Sequence, residues 1–311
     1  MNNSIAIGAD IGGSHITCAA VNLDSGAILR DTMAERAVDN KAQAATIIKT
    51  WSEAVGESIS KIKDGKLKGI GFAMPGPFDY VKGISYIKGV DKYENLYGFN
   101  ITDAISSTLD LNVDVPIRFI NDASAFAVGE AWAGSARKYS RSVSITFGTG
   151  FGSAFIADKI PVCDGDQAPR LGCIYHIPYK EGIADDYFST RWFLKQYKAI
   201  KGKELSGVKE LASLSEVDKV VRDLFHEFGE KAARFLAPWL RNFEAEILVV
   251  GGNISHAYNL FGKVFEKTFR DENWNGAVSL SELKEEAALF GSAYLFNEVF
   301  WKDVQHALPL M

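Results

Sequence analysis

Two glycine turns constrain this chain more than any other feature in it. In SIAIGADIGGSHITCAAVNLDSGAIL, an apolar run, Ile5–Ala9, enters Asp10-Ile11-Gly12-Gly13-Ser14, and a second run, Ile16–Val21, leaves it. In SVSITFGTGFGSAFI, apolar residues flank Gly148-Thr149-Gly150-Phe151-Gly152 in the same way. β-favouring residues on both sides of a glycine turn predict a hairpin. A dinucleotide-binding loop or a P-loop runs on into a helix instead. Here Ser153–Ala157 reads as a strand and no Gly-Lys-Ser/Thr follows, so neither applies. Glycines bare the backbone, and successive N–H groups can then line one concavity that holds a phosphate. Ser14 and Thr149 add hydroxyl donors, and Asp10 can hold Mg²⁺ or its water shell beside a phosphate. Each turn alone is equally compatible with an ordinary hairpin and a turn aspartate. The repetition, each copy followed by helices and another strand, predicts duplication: two α/β domains facing one another across a cleft.

Composition narrows the function classes. The 311 residues are 47% hydrophobic, enough for two cores. A net charge of −5 disfavours a nucleic-acid binder, which needs a basic face. Three scattered cysteines, Cys18, Cys163 and Cys173, form no CxxC pair, so a reducing compartment without a disulfide framework or cysteine zinc knuckle is expected. The first strand candidate begins too early for a signal peptide, and no apolar run reaches membrane-spanning length. The expectation is a soluble cytoplasmic protein with no membrane partner.

Between the turns, Asn40 is placed to cap a helix carrying Ile47, Ile48, Trp51, Val55 and Ile59 on one face. Ile70–Ala73 is a short strand stopped by the rigid Pro75-Gly76-Pro77. That tripeptide is either a plain turn or a ligand loop at a strand's carboxyl end. Ile117–Ile120 reads as a strand ended by Asn121-Asp122, with a helix from about Ala123 to Ala133. Asn-Asp at such a junction can be a simple N-cap. It can also place an ionised carboxylate, favoured by the helix dipole, where it takes a proton from an attacking hydroxyl. Further helices are predicted around 187–200 and 215–240, the latter weakened or kinked at Gly229 and Pro238. Ile247–Val250 is a buried strand entering Gly251-Gly252-Asn253, where glycines let a flat ring approach or simply make a tight turn. Ala287, Ala288, Gly291, Ser292 and Ala293 give the last helix a face for close packing. No hydrolase signature appears, and the five histidines lack metal-ligand spacing.

Taken in order, these pieces resemble the ROK family of bacterial sugar kinases, in the actin/hexokinase (ribonuclease H-like) superfold. GADIGGSHITCAAV resembles the family's first phosphate loop and GFAMPGPFD its sugar-side loop. FINDASAFAVGEAWAG is similar to the segment with the catalytic aspartate, ITFGTGFGSAFI to the second phosphate loop, and ILVVGGNIS to the adenosine loop. The resemblance implies a duplicated two-domain α/β fold with an interdomain cleft. We place an N-terminal domain at 1–118, joined by a C-terminal helix at about 286–304, and a second domain at 119–285. It implies ATP-dependent phosphorylation of a hexose or amino-hexose hydroxyl, with Asp122 as general base. Pro75, Gly76 and Asn121 would touch sugar. Asp10 would hold Mg²⁺ through water. Gly12, Gly13, Ser14, Gly148, Thr149, Gly150 and Gly152 would embrace the nucleotide phosphates, and Gly251, Gly252 and Asn253 the adenosine. A homodimer is the usual assembly.

The chain departs from that pattern in two places. APRLGCIYHIPYKEGIADDYFS holds one cysteine where the family commonly has a zinc motif, so zinc is expected to be absent. The family's E-x-G-H reads R-L-G-C, placing Arg170 at the glutamate and Cys173 at the histidine, with His176 a stand-in in a shifted register or a residue packed beside Tyr175 and Pro178. The later sugar-binding glutamate falls on Asp185, a shorter acid that can also cap the next helix. Arg170 donates where a glutamate accepts, so sugar specificity is expected to be altered, toward an acidic or phosphorylated sugar if Arg170 faces it. The alternative reading is a non-catalytic sugar or nucleotide sensor on the same fold. A repressor of the family carries an N-terminal DNA-binding domain, and this chain opening directly on a strand argues against one.

Overall fold

A computed structural model describes residues 3–89, 92–110 and 115–311. The chain divides into two compact units, residues 1–133 with 285–311, and residues 134–284. The first unit holds β1 (Ser4–Ile11), β2 (His15–Asn22), β3 (Ala27–Ala37), β4 (Lys66–Met74) and β5 (Ile117–Asn121) in the sheet order β3-β2-β1-β4-β5. β1–β2 and β2–β3 are antiparallel; β1–β4 and β4–β5 are parallel. The second unit repeats the pattern. β6 (Arg141–Phe147), β7 (Phe151–Ala157), β8 (Ile160–Pro161), β9 (Ile247–Gly251) and β10 (Ala277–Leu280) are ordered β8-β7-β6-β9-β10. Its antiparallel and parallel pairs fall at the equivalent places. Both glycine turns join the first two strands of their unit, as the hairpin reading requires.

The division differs from the one expected at 118/119. β5 pairs with β4 through Ile70↔Ile117 to Met74↔Asn121, and the helix after it also lies in the first unit. A parallel central sheet needs β5 for its core, so Asp122 belongs to the first unit. The predicted C-terminal helix is in fact interrupted: Glu286–Ala293, a short turn at Tyr294–Phe296, then Glu298–Val304. Asn297 caps the last piece by accepting from the Phe300 amide.

α1 (Ala44–Ser60) buries Ile47, Ile48, Trp51 and Val55 as the periodicity predicts, while Ile59 near its end is half-buried. Asn40 does not cap it. Gln43 stands at the N-cap without a side-chain bond, and Asn40 is used elsewhere. α2 (Asp122–Trp132) packs against the helix Glu286–Ala293, whose residues Ala287–Ala293 are all buried. The approach is backbone to backbone: a Cβ on Gly291 would stand 1.9 Å from the Ala125 carbonyl oxygen.

In the second unit, α3 (Thr190–Lys201), α4 (Lys219–Asn242) and α5 (Tyr258–Asp271) surround an aromatic core. α4 runs unbroken past Gly229 and Pro238. Gly229 serves packing, since a Cβ there would lie 2.9 Å from the Phe261 carbonyl. Phe147 and Phe151 flank the second glycine turn and are buried, with ring centroids 5.5 Å apart. Phe147 also meets Phe228 at 5.0 Å. Burying each ring contributes about 2–3 kcal/mol, which fixes the turn's two ends while Thr149 and Gly150 stay exposed. No helix among the described residues is long and apolar enough to cross a membrane.

Candidate active site

In the first unit, register brings the acids and the Pro75-Gly76-Pro77 loop to one edge of the sheet. Asp10 lies opposite Ala73 across β1 and β4, and Met74 lies opposite Asn121 across β4 and β5. The first glycine turn, the Pro75-Gly76-Pro77 loop and the start of α2 therefore leave the same carboxyl ends, where ligands of parallel sheets bind.

The first turn is closed by the Gly12 amide donating to the His15 carbonyl at 3.0 Å. That corrects one expectation: the Gly12 amide is engaged within the hairpin. Gly13 and Ser14 are exposed, and their amides make no hydrogen bond to the described residues. Two side chains hold this turn, one with no sequence signal and one read from the sequence as a helix cap. Tyr93 donates its hydroxyl to the Gly12 carbonyl at 2.6 Å, and Asn40 donates its side-chain amide to the Gly13 carbonyl. Tyr93 is fully buried, edge-on to Trp51 at 5.3 Å. Burial pushes its phenol well above the usual range, so it remains a neutral donor. Both residues arrive from separate loops, and no local pattern announces this role for either.

Asp10 keeps some solvent exposure but stands deep among protein atoms. Burial first, then the carboxylates of Asp122 and Glu285, push its acid up to about 7, with Lys92 pulling the other way. A raised Asp10 carboxyl facing two other acids marks a site short of positive charge, which suits a hydrated divalent cation. Among the described residues no cluster of three or more acidic, histidine or cysteine side chains forms a direct metal cage. A cation here would have Asp10 as its nearest candidate holder.

Asp122 opens α2. Its Oδ1 accepts from the Ala123 amide at 2.8 Å and from Asn121 Nδ2 at 3.0 Å. Its Oδ2 makes no hydrogen bond to the described residues, so one carboxylate oxygen is fixed and the other is available. Asn121 caps the helix, its Oδ1 accepting from the Ser124 amide at 3.2 Å. The capping and base-bearing readings of Asn-Asp are thus compatible. Pro75 is buried, and Gly76 is half-buried beside the Tyr80 hydroxyl.

In the second unit, the Gly148 amide closes its turn on the Gly150 carbonyl at 3.0 Å, and Thr149 and Gly150 keep amides without partners among the described residues. Gly252, at φ 79°, lies so close to this hairpin that a Cβ would be 2.5 Å from the Phe147 carbonyl. Gly251 is buried opposite Thr146, and Gly252 and Asn253 are exposed. The second glycine turn and the Gly251-Gly252-Asn253 loop are thereby brought together. Half-buried Gly152 continues the strand opposite Thr146.

Asp185 stands at the same turn. Its Oδ1 accepts from the Phe151 amide at 2.6 Å, and its other oxygen pairs with Arg191. It anchors the hairpin instead of capping the following helix. Arg170 is exposed at the start of a short turn, Arg170–Gly172. Half-buried His176 lies edge-on to the Tyr175 ring at 5.2 Å, with Nδ1 3.9 Å from Cys173 Sγ. The Ile174 amide ties this segment to β7 through Ser153 Oγ at 2.9 Å.

Duplicated sheets of this topology, each opening on a glycine hairpin, define an actin/hexokinase-like α/β protein. The ROK family model matches residues 6–299, and the chain belongs to the ROK family. It is 25% identical over 320 residues to a glucokinase of Thermotoga maritima, covering 94% of this chain and 97% of the relative. It is likewise 25% identical over 268 residues to an N-acetyl-D-glucosamine kinase of Haemophilus influenzae, covering 80% and 84%. Its fold is similar to that of a ROK family glucokinase from Streptomyces griseus solved with glucose and AMPPNP. The TM-score is 0.74 at 22% identity, covering 94% of this chain and 98% of that one.

Proposed function

We propose that the chain transfers the γ-phosphoryl group of ATP to a hydroxyl of a hexose or amino-hexose. The observation that carries this reading is Asp122: one carboxylate oxygen fixed by two donors, the other available, at the sheet edge where the first glycine turn and the sugar-side loop also end. Asp122 Oδ2 takes the proton of the attacking sugar hydroxyl as its oxygen bonds to the γ-phosphorus and the bond to the β-phosphate bridging oxygen breaks. A positioned base contributes about 10²–10⁴-fold; alignment and charge stabilisation supply most of the remainder. The Gly13, Ser14, Thr149 and Gly150 amides, unengaged within their turns, donate to nucleotide phosphates, and Gly252 and Asn253 meet the adenosine. Asp10 would help hold a hydrated Mg²⁺, which would offset phosphate charge.

Two features support a sugar other than glucose. In the nearest register to the family pattern, Arg170 and Cys173 fall at its glutamate and histidine, and Asp185 already serves the Phe151 amide and Arg191. A site lacking those acceptors pairs hydroxyls differently, and discrimination built on buried hydroxyl pairing is steep. ADP release with Mg²⁺ and ATP, across hexoses, N-acetylated amino sugars and sugar acids, tests the proposal. Turnover with one class supports it; sugar binding without ADP release from any of them assigns the chain to the sensor reading.

A further inference from the structure

The hydroxyl of Tyr80 meets three parts of the site at once. It donates to the Met74 carbonyl at the end of β4, at 3.1 Å. It accepts from Asn121 Nδ2 at 3.2 Å. It also lies against Gly76, where a Cβ would come within 3.3 Å of it. Tyr80 is buried, and its ring packs on Phe78 at 5.3 Å.

Asn121 is orientationally determined by this arrangement. Its Oδ1 must face the Ser124 amide, which can only donate, so its Nδ2 faces the other way. The two Nδ2 protons then go to the Tyr80 hydroxyl and to Asp122 Oδ1. A rigid backbone carbonyl thus fixes a phenol, the phenol fixes an amide, and the amide fixes one carboxylate oxygen.

We propose that Tyr80 is a positioning residue for Asp122, acting through Asn121 to turn the carboxylate's other oxygen toward the acceptor hydroxyl. The inference rests on the phosphoryl-transfer reading, since it assigns Asp122 a proton to take. Neither Tyr80 nor its spacing from Asn121 carries a local signal: the two are 41 residues apart in the chain and meet only because β4 and β5 are neighbours. Rotation of a carboxylate by a fraction of an ångström at the oxygen is enough to lower the turnover number while leaving sugar binding intact.

The test combines a spectrum and a kinetic cycle on the full chain. In ¹⁵N-labelled protein without ligands, the Asn121 side-chain amide pair, assigned by its loss in Asn121→Ala, should show both protons shifted as hydrogen-bonded and slow to exchange. In Tyr80→Phe one of them should lose protection by about tenfold or more. With the sugar the wild type turns over, Tyr80→Phe should lower kcat about tenfold with KM for sugar changed less than about twofold. Adding Tyr80→Phe to Asn121→Ala should cost nothing further. Independent, multiplicative losses, or unchanged amide protection in Tyr80→Phe, would overturn the inference. If Tyr80→Phe does not fold, an unprotected Asn121 amide in the wild type overturns it, and a protected one upholds it. Absence of turnover with every sugar would refute the kinase reading while the amide spectrum still decides the Tyr80 arrangement.

Discussion

Replacing Asp10 with asparagine should remove a pH-dependent penalty from the folded chain. Burial, then Asp122 and Glu285, raise the Asp10 carboxyl from the ordinary 3.8 to about 7. Between those values the folded chain keeps a proton that the unfolded chain has released. Stability contributed by that group is therefore full at low pH and lost as pH rises toward 7. At about 1.4 kcal/mol per pH unit, the loss between pH 5 and pH 8 comes to about 3 kcal/mol. Asparagine carries no proton to lose, so the variant lacks this slope. Equilibrium urea unfolding of both proteins in chelator at pH 5 and pH 8 measures it. Relative to wild type, the variant should gain about 3 kcal/mol at pH 8 over its standing at pH 5. A difference that stays constant within about 0.5 kcal/mol between the two pH values would refute the claim that Asp10 is held protonated by its surroundings.

Three further substitutions separate packing from chemistry. Gly291→Ala places a methyl 1.9 Å from the Ala125 carbonyl between two buried helices and should cost about 3 kcal/mol or more, read as a lowered unfolding midpoint. Gly13→Ala meets nothing within 4 Å; stability should stay within about 0.5 kcal/mol, while KM for ATP rises as the methyl crowds the phosphate. Asp185→Asn weakens the anchor on the Phe151 amide and Arg191; KM for ATP should rise about three- to tenfold with KM for sugar little changed. The opposite split would return Asp185 to the sugar role suggested by its position in the sequence.

What was legible in the sequence was whatever depends on neighbours along the chain. Both hairpins, the strand entering Asn121-Asp122 and the buried face of α1 follow from local periodicity and glycine placement, and the structure contains them. The small-residue face at Ala287–Ala293 foretold close packing but not its partners, the backbones of α2, β1 and β4. The boundary was misplaced because a strand's sheet membership is decided by pairing with β4, which no residue in Ile117–Asn121 announces alone. Asn40 has the composition of a cap and the use of a clamp, because the Gly13 carbonyl competes for its amide. Tyr80, Tyr93 and Glu285 were missed for one shared reason: each reaches Asn121, Gly12 or Asp10 from a distant segment, so its role exists only in the folded chain.

The central claim is that Asp122 serves as base for phosphoryl transfer to a sugar. The most direct measurement is the phosphorylated sugar itself, quantified by ³¹P NMR for wild type and Asp122→Asn with the same sugar, ATP and Mg²⁺. The account predicts product from wild type, a rate at least about 10²-fold lower in the variant, and nucleotide binding retained in both. Equal product from the two proteins would contradict it.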